Sequence, residues 1–399
     1  MNHTELKELI AQISPEIVGI RRTIHKNPEL SGAEFKTAAL VKNTLASWSI
    51  PAQYHLNKTA VSAKIVNGKG PTVVLRADMD ALPIHEENNV PFASAKPGVM
   101  HACGHDMHTA ILLGAAKVLS SMKDKWKGTA LCLFQPSEEK EPGGAYGLIK
   151  ARVFPAKAAA VFGLHVSADH KSGHIGIKEG ADYAGVLNFD ITVRGRGGHG
   201  ATPEKAVDPI VCAAAMVGQL QTLISREKPS AEPAVLTVGI FHAGTAHNII
   251  PDTAVLGGTI RTYSVELQNT LTKRVRESAT AIAAAFGAKA SVTFEKSYPS
   301  GYNNPALAGL FRERMKSYCG PSNVEERNAP TMYAEDFARY QQIVPGLYAY
   351  LGAIPQNKKK IEEIHSPRFL PDEKAIETGI AAHVLFAVEV LKLRISDRR

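Results

Sequence analysis

No run of 18 consecutive apolar residues occurs anywhere in the chain, which excludes a membrane-spanning helix by length. The stretch from Met1 to Glu16 is charged throughout and lacks the apolar centre of a secretory leader, so we expect a cytoplasmic protein. Cysteine is scarce. Only Cys103, Cys132, Cys212 and Cys319 are present, far apart and without a C-x-x-C pair, which argues against a disulfide framework. Low-complexity segments are missing, and so is a concentrated basic patch. The 46 basic and 38 acidic residues give a net charge of +8, yet the longest basic run is Lys358–Lys360, and beyond it only scattered pairs such as Arg398–Arg399 occur. That distribution reads as a solvated face, with no nucleic-acid and no membrane partner.

What is present is a globular chain too long for one core. At 399 residues it is expected to form two domains, and 44% hydrophobic with 21% charged residues is ordinary for packed structure. The segment V-M-H-A-C-G-H-D-M-H-T, from Val99 to Thr109, stands out because His101, Cys103, His105, Asp106 and His108 fall within it. Cys103 and His105 are separated by one glycine and can face the same way, so they can share a cation. Imidazole with thiolate suits zinc, and manganese or cobalt become possible if carboxylates join.

Along the chain, Ser14-Pro15-Glu16 predicts the start of a helix reaching Lys26, and Ser31-x-x-Glu34 predicts a capping box for a second helix. Val61–Val66 and Thr72–Ala77 read as strands, the second buried on both faces and ending at Asp78 and Asp80. Ligands of open α/β sheets bind at that edge. Ile111, Ala115, Val118, Leu119 and Met122 then recur at helical spacing, placing the histidine-rich segment at a helix N-terminus. The strand Thr129–Phe134 stops before Glu138-Glu139. Adjacent residues point apart, so one of the two carboxylates is expected to bind metal while the other moves a proton. Ala158–Val166 ends near His165. From about residue 183 the pattern alternates, and the order β-α-β-β-α-β to residue 296 predicts a ferredoxin-like insert. Its first helix, opened by Asp208-Pro209, is expected to bury Ile210, Ala214, Val217, Leu220 and Ile224. The domains are thus 1–182 with 297–399, and 183–296, joined through Gly180–Gly185 and Ser297–Gly301. Ala334–Gln341 and about 372–392 are read as helices in the returning segment, Leu347–Leu351 as a strand, and His365 as an isolated loop histidine.

The motifs R-A-D-M-D-A-L-P (76–83), G-V-M-H-A-C-G-H-D-M-H-T-A (98–110), Q-P-S-E-E (135–139), G-L-H-V (163–166), G-R-G-G-H-G-A (195–201), A-E-D-F (334–337) and I-H-S-P (364–367) resemble the aminoacylase family. The similarity is to its branch of hippurate hydrolases, N-acyl-amino-acid amidohydrolases and plant indole-acetyl-amino-acid hydrolases. The resemblance implies an α/β fold: a mixed-sheet di-metal hydrolase domain with an inserted lid. It implies two divalent metal ions, Zn²⁺ or Mn²⁺ with Co²⁺ possible, held by Cys103, His105, Glu139, His165 and His365. Glu138 becomes the general base, and Asp80 orients a ligand. On the lid, His199 becomes an oxyanion donor, Asn248 and Arg261 become contacts for the substrate carboxylate, and family members pair as homodimers through this domain. Where the wider family has a histidine ligand this chain has Asp78, as the amidohydrolase branch does, and two features depart from that branch: Lys140-Glu141-Pro142 after the glutamate pair, and Tyr333 at a usually small position.

The implied reaction is hydrolysis of the amide bond of small-molecule N-acyl amino acids, with a dipeptidase or carboxypeptidase as the alternative. A metal-dependent binding protein without turnover is disfavoured by the presence of Glu138.

Overall fold

The computed structural model describes residues 2–296 and 298–392. Ser297, where one expected connection and the second part of the large domain begin, and Arg398–Arg399 lie outside the described residues. The chain divides into two compact units: Met1–Gly180 with Tyr302–Ala329 and Asp336–Arg399, and Ala181–Gly301 with Pro330–Glu335. The smaller unit is a few residues wider than the expected 183–296 and includes a short return segment.

The larger unit is built on an eight-stranded mixed sheet. Its order is Ala52–His55, Ala60–Asn67, Gly128–Gln135, Thr72–Asp78, Ala160–Lys171, Gly346–Ile354, Ile175–Ile177, Val324–Glu326. The central strands Gly128–Gln135, Thr72–Asp78, Ala160–Lys171 and Gly346–Ile354 run parallel, and their register sets Asp78 opposite Gln135 and Tyr350 opposite His165. Near-continuous apolar sequence in these strands follows from burial on both faces.

The helices His3–Lys26, His105–Ser121 and Ala375–Lys392 pack on one another and share the main core. Gly114 permits their close approach, since a Cβ there would lie 2.5 Å from Ile380 Cδ1 and 3.4 Å from Ile17 Cγ1.

Four local expectations need correction. The first helix starts at His3, capped by Asn2, and runs through Pro15. Burial of Leu6, Ile10, Ile17 and Ile24 outweighs the proline, which sits on the exposed side together with Ala11, whose carbonyl it releases. Helix Phe35–Ser47 has no side-chain cap from Ser31. Glu29 takes that role, accepting from the amides of Lys36 at 3.1 Å and Thr37 at 2.8 Å. The short helix covers only Ala338–Gln341, because Asp336 is drawn into side-chain hydrogen bonds. The last helix begins at Ala375, after a turn in which Asp372 accepts from the Lys374 amide.

In the smaller unit an antiparallel sheet runs in the order Ala234–Ala243, Thr253–Thr262, Gly185–Arg194, Lys289–Lys296. One helix, Pro209–Thr222, lies between the first and second strands in sequence, and another, Val265–Ala285, between the third and fourth. Leu187, Phe189, Ile191 and Val193 face its core. The helix Pro209–Thr222 buries Cys212, Ala213, Met216 and Leu220 instead of the Ile210 and Ala214 stripe. Among the described residues no helix is long and apolar enough to cross a membrane.

His383, in the last helix, meets the Phe162 ring edge-on at 4.9 Å, and its Nδ1 is buried with no hydrogen-bond partner. Burial, and secondarily His108, pulls its pKa from 6.5 to about 3. The unfolded chain therefore takes up a proton below pH 6.5 that the folded chain refuses. This histidine's contribution to stability is full above pH 6.5 and falls, at about 1.4 kcal/mol per pH unit, toward pH 3. His383→Leu is expected to flatten the acid side of the stability profile, gaining about 2 kcal/mol relative to the parent between pH 7.5 and pH 5. Parallel unfolding profiles of the two proteins at those pH values would show this account to be wrong.

Candidate metal centre

The site is assembled at the carboxyl ends of the parallel strands. Thr72–Asp78 ends in Asp78, and Asp80 follows two residues on. Beside it, Gly128–Gln135 leads into the turn bearing Glu138 and Glu139, and His165 projects from Ala160–Lys171. Gly104, at φ +88°, sets the helix His105–Ser121 against the sheet, since a Cβ on it would lie 2.3 Å from Val166 Cγ2. That close approach puts Cys103 and His105 over the strand ends.

Cys103 Sγ lies 3.3 Å from His165 Nε2 and 3.3 Å from His365 Nε2. His365 Nε2 is 3.1 Å from Glu139 Oε1, and His105 Nε2 is 4.0 Å from the same oxygen. His165 Nδ1 donates to the Val166 carbonyl at 2.7 Å, which leaves Nε2 as the lone-pair nitrogen. His365 has φ +66°, and its amide donates to Ala102 O at 2.8 Å. The donor groups here include Cys103 with His105 and His165, Cys103 with Glu139 and His365, His105 with Glu138 and Glu139, and Asp78 with His105 and His108.

These residues fit divalent cations. His105 Nε2 is fully buried with no hydrogen-bond partner. Bond lengths of about 2.0–2.3 Å around tetrahedral zinc separate neighbouring donors by roughly 3.3–3.8 Å, close to the spacings found here. The charge balance points the same way. Burial, then the charges of Glu139 and Glu138, holds the Cys103 thiol well above its usual range. Burial alone would lower the His105 imidazole, but Asp78, Asp80 and Glu139 outweigh it and push it up to about 10. A cation would reverse both trends and release protons on binding.

Asp80 organises the turn. Its Oδ1 accepts from the Glu138 amide and its Oδ2 from the Glu139 amide, both at 3.0 Å. Ser31 Oγ donates to Oδ2 at 2.6 Å, and His105 Nδ1 lies 3.3 Å from Oδ1. Glu34, beneath the same turn, has its pKa pushed up to about 7 by burial and by the Asp80 charge.

Not every member of the histidine-rich segment turns to this position. Asp78 Oδ2 accepts from Arg76 at 2.6 Å and Oδ1 from His108 Nδ1 at 2.6 Å, while His108 Nε2 accepts from the Val166 amide at 2.9 Å. His108 thus has no lone pair left for a metal. Asp106 is bound by Arg21 at 2.7 Å and His25 at 2.8 Å, and His101 is buried with both ring nitrogens unpartnered. Arg76 also donates to Asp336, which accepts from Gln135 and the Ala145 amide, tying two strand ends to the helix Gly144–Lys150.

Sequence reasoning missed Ser31, Glu34, Arg76, His108 and Asp336 as parts of the site's support. A polar residue following a buried strand, or standing within one as Arg76 does, was the available signal. His199, Asn248 and Arg261 belong to the smaller unit: His199 pairs with Ile249 in a two-stranded ladder, and Arg261 lies in Thr253–Thr262 with its guanidinium donating to Met332 O at 2.7 Å.

A thiol, three imidazoles and two adjacent carboxylates at the carboxyl edge of a mixed sheet define a metal-dependent hydrolase. Residues 74–389 match Peptidase family M20/M25/M40, and the chain belongs to that family. It is 39% identical over 389 residues to thermostable carboxypeptidase 2 of Saccharolobus solfataricus, covering 96% of this chain and 98% of that protein. It is 38% identical over 368 residues to an N-acetyl-L-cysteine deacetylase of Bacillus subtilis, covering 92% and 86% respectively. The crystal structure of Bacillus subtilis YXEP protein, a dinuclear metal binding peptidase from the M20 family, superimposes with a TM-score of 0.84 at 34% identity over 96% of this chain and 99% of that one.

Cys103→Ala removes the sulfur common to two donor groups and should lower bound metal and activity together; full occupancy by elemental analysis would contradict its place in the centre. Gly104→Ala, strained at its φ and against Val166, should cost more than about 1 kcal/mol and lower metal content as well.

Proposed function

We propose that this chain hydrolyses the amide bond of N-acyl or N-aroyl amino acids, releasing a carboxylic acid and a free amino acid. The observation that carries the reading is the pair Glu138-Glu139 on a turn anchored by Asp80, beside Cys103, His105, His165 and His365. In this reading Cys103, His105, Glu139, His165 and His365 hold two divalent cations, zinc or manganese with cobalt also compatible. When bound, the pair of ions would acidify a shared water and polarise the scissile carbonyl. Glu138, nearly buried, takes the proton of the attacking water and delivers it to the leaving amine. Asp80 holds His105 and both glutamate amides in one arrangement, so the base and its neighbour keep fixed directions.

The smaller unit acts as a ferredoxin-like lid. It supplies His199 as a donor to the developing oxyanion and Asn248 and Arg261 to the substrate carboxylate. The contact of Arg261 with Met332 O supports this by holding the guanidinium near exposed Tyr333. The chain forms a homodimer through this unit. In support, the edge strand Ala234–Ala243 exposes Ile240 at 48% and Phe241 at 42%, and the helix Pro209–Thr222 exposes Val211 at 52%. A cytoplasmic setting is supported by four unpaired cysteines, one of them needed as a thiolate.

The similarity to a carboxypeptidase favours peptides as the second reading. A panel of N-acyl amino acids against dipeptides and N-blocked peptides, with each metal restored, separates the two; cleavage confined to peptides overturns the first.

Glu138→Gln should keep its metals and lose about 10²–10⁴ in turnover, whereas Glu139→Gln should weaken metal binding. The reverse pattern would exchange their roles. His199 is expected to act across the dimer: mixing inactive Glu138→Gln and His199→Ala proteins should restore activity as subunits exchange. Demonstrated exchange without recovery would place the histidine in its own chain's site.

A further inference from the structure

Ser31-Gly-Ala-Glu34 has the spacing of a helix cap, yet the capping is done by Glu29 and the Glu34 side chain is spent elsewhere. Glu34 is fully buried. Its Oε1 accepts from the amide of Gly32 at 2.9 Å and from the amide of Ser137 at 2.8 Å, while Oε2 is buried with no hydrogen-bond partner. The next two amides, those of Glu138 and Glu139, go to Asp80. Three consecutive amides of one turn therefore end on two buried carboxylates.

The turn needs such support. Ser137 adopts φ +55°, a left-handed conformation that costs a non-glycine residue about 1 kcal/mol or more and persists only where surroundings enforce it. Beyond the strand Gly128–Gln135 the turn has one other backbone tie, from the Gly144 amide to Ser137 O at 3.1 Å. Asp80 fixes the planes of the peptides that end at Glu138 and Glu139. The peptide that ends at Ser137, and with it the direction in which the chain enters Glu138, is fixed by Glu34.

We infer that Glu34 is a positioning residue: through the Ser137 amide it sets the direction in which Glu138 and Glu139 project into the metal centre. The inference rests on the roles proposed above for those two glutamates. It needs an acceptor oxygen at Oε1 and no charge, so glutamine should serve where alanine or methionine cannot.

The experiment compares Glu34→Ala, Glu34→Met and Glu34→Gln in the full chain. Turnover and KM on an N-acyl amino acid are measured with metal restored, and amide exchange over residues 135–139 is followed in the metal-free protein. Alanine and methionine are expected to lower kcat by about 10², the scale of a displacement near 1 Å, with KM little changed. Exchange at residues 135–139 should rise while the helix His105–Ser121 stays protected, and glutamine should restore both readouts. Unchanged exchange and kcat in the alanine and methionine variants overturn the inference, as does a glutamine variant that behaves like alanine. Should neither apolar variant fold, the parent protein decides: a Ser137 amide exchanging as fast as an exposed loop amide overturns it. If Glu138→Gln proves fully active, the reading of the two glutamates fails, while the exchange data still judge Glu34 on their own.

Discussion

The centre depends on one buried carboxylate. Asp80 is 1% exposed and contacts Ser31, His105 and the amides of two adjacent residues. A carboxylate removed from water is tolerable only where donors replace its hydration, and each charge-assisted hydrogen bond contributes about 1.5–3 kcal/mol toward that. Because its hydrogen-bond donors, Ser31 and the two glutamate amides, and its ion-pair partner His105 come from three separate segments, satisfying one anion aligns the loop at Ser31, the helix start at His105 and the Glu138-Glu139 turn. Geometry at the metal centre is thus inherited from an electrostatic requirement behind it.

The same economy explains why the histidine-rich segment divides its labour. Arg21 and Arg76 are fully buried cations, and each must be matched by carboxylates. Asp106 answers Arg21, while Asp78 and Asp336 answer Arg76. Asp78, at the strand-end position where the wider aminoacylase family carries a histidine ligand, has both oxygens occupied by Arg76 and His108. These pairs bind the first helix to the helix His105–Ser121, and the central strands to the segment that begins at Asp336, within the larger unit. With Asp106 and His108 committed in this way, Cys103 and His105 are the members of the histidine-rich segment grouped with Glu139, His165 and His365.

Much of this was legible because its signals are local. Apolar runs of strand length, helical spacing after Thr109 and polar residues at successive strand ends place Asp80, Glu138, Glu139 and His165 along one sheet edge. The illegible parts depend on contacts distant in sequence. His365 meets Cys103 across 262 positions, and its own loop carries no periodicity, so only the resemblance to a family pointed to it. Ser31-x-x-Glu34 has a capping pattern, but nothing local reveals that Glu29 is nearer the helix amides or that Ser137 needs an acceptor. Pro15 reads as a helix start because propensity is local, whereas the burial that carries the helix through it is tertiary.

The helix Pro209–Thr222 fails for a different reason. It is apolar on more than one side: Cys212, Ala213, Met216 and Leu220 face its own sheet, while Ile210, Val211, Ala214 and Ala215 stay exposed. Periodicity locates a single stripe and cannot choose between two. A helix with one core face should carry charge on the other, and this one carries none over 14 residues. Its outer stripe includes Ile210, which lies close to Gly244 just past the edge strand Ala234–Ala243, where Ile240 and Phe241 are also exposed. The ambiguity that misdirected the sequence reading is therefore the physical trace of a second apolar surface, the one through which we propose that two copies of the chain associate.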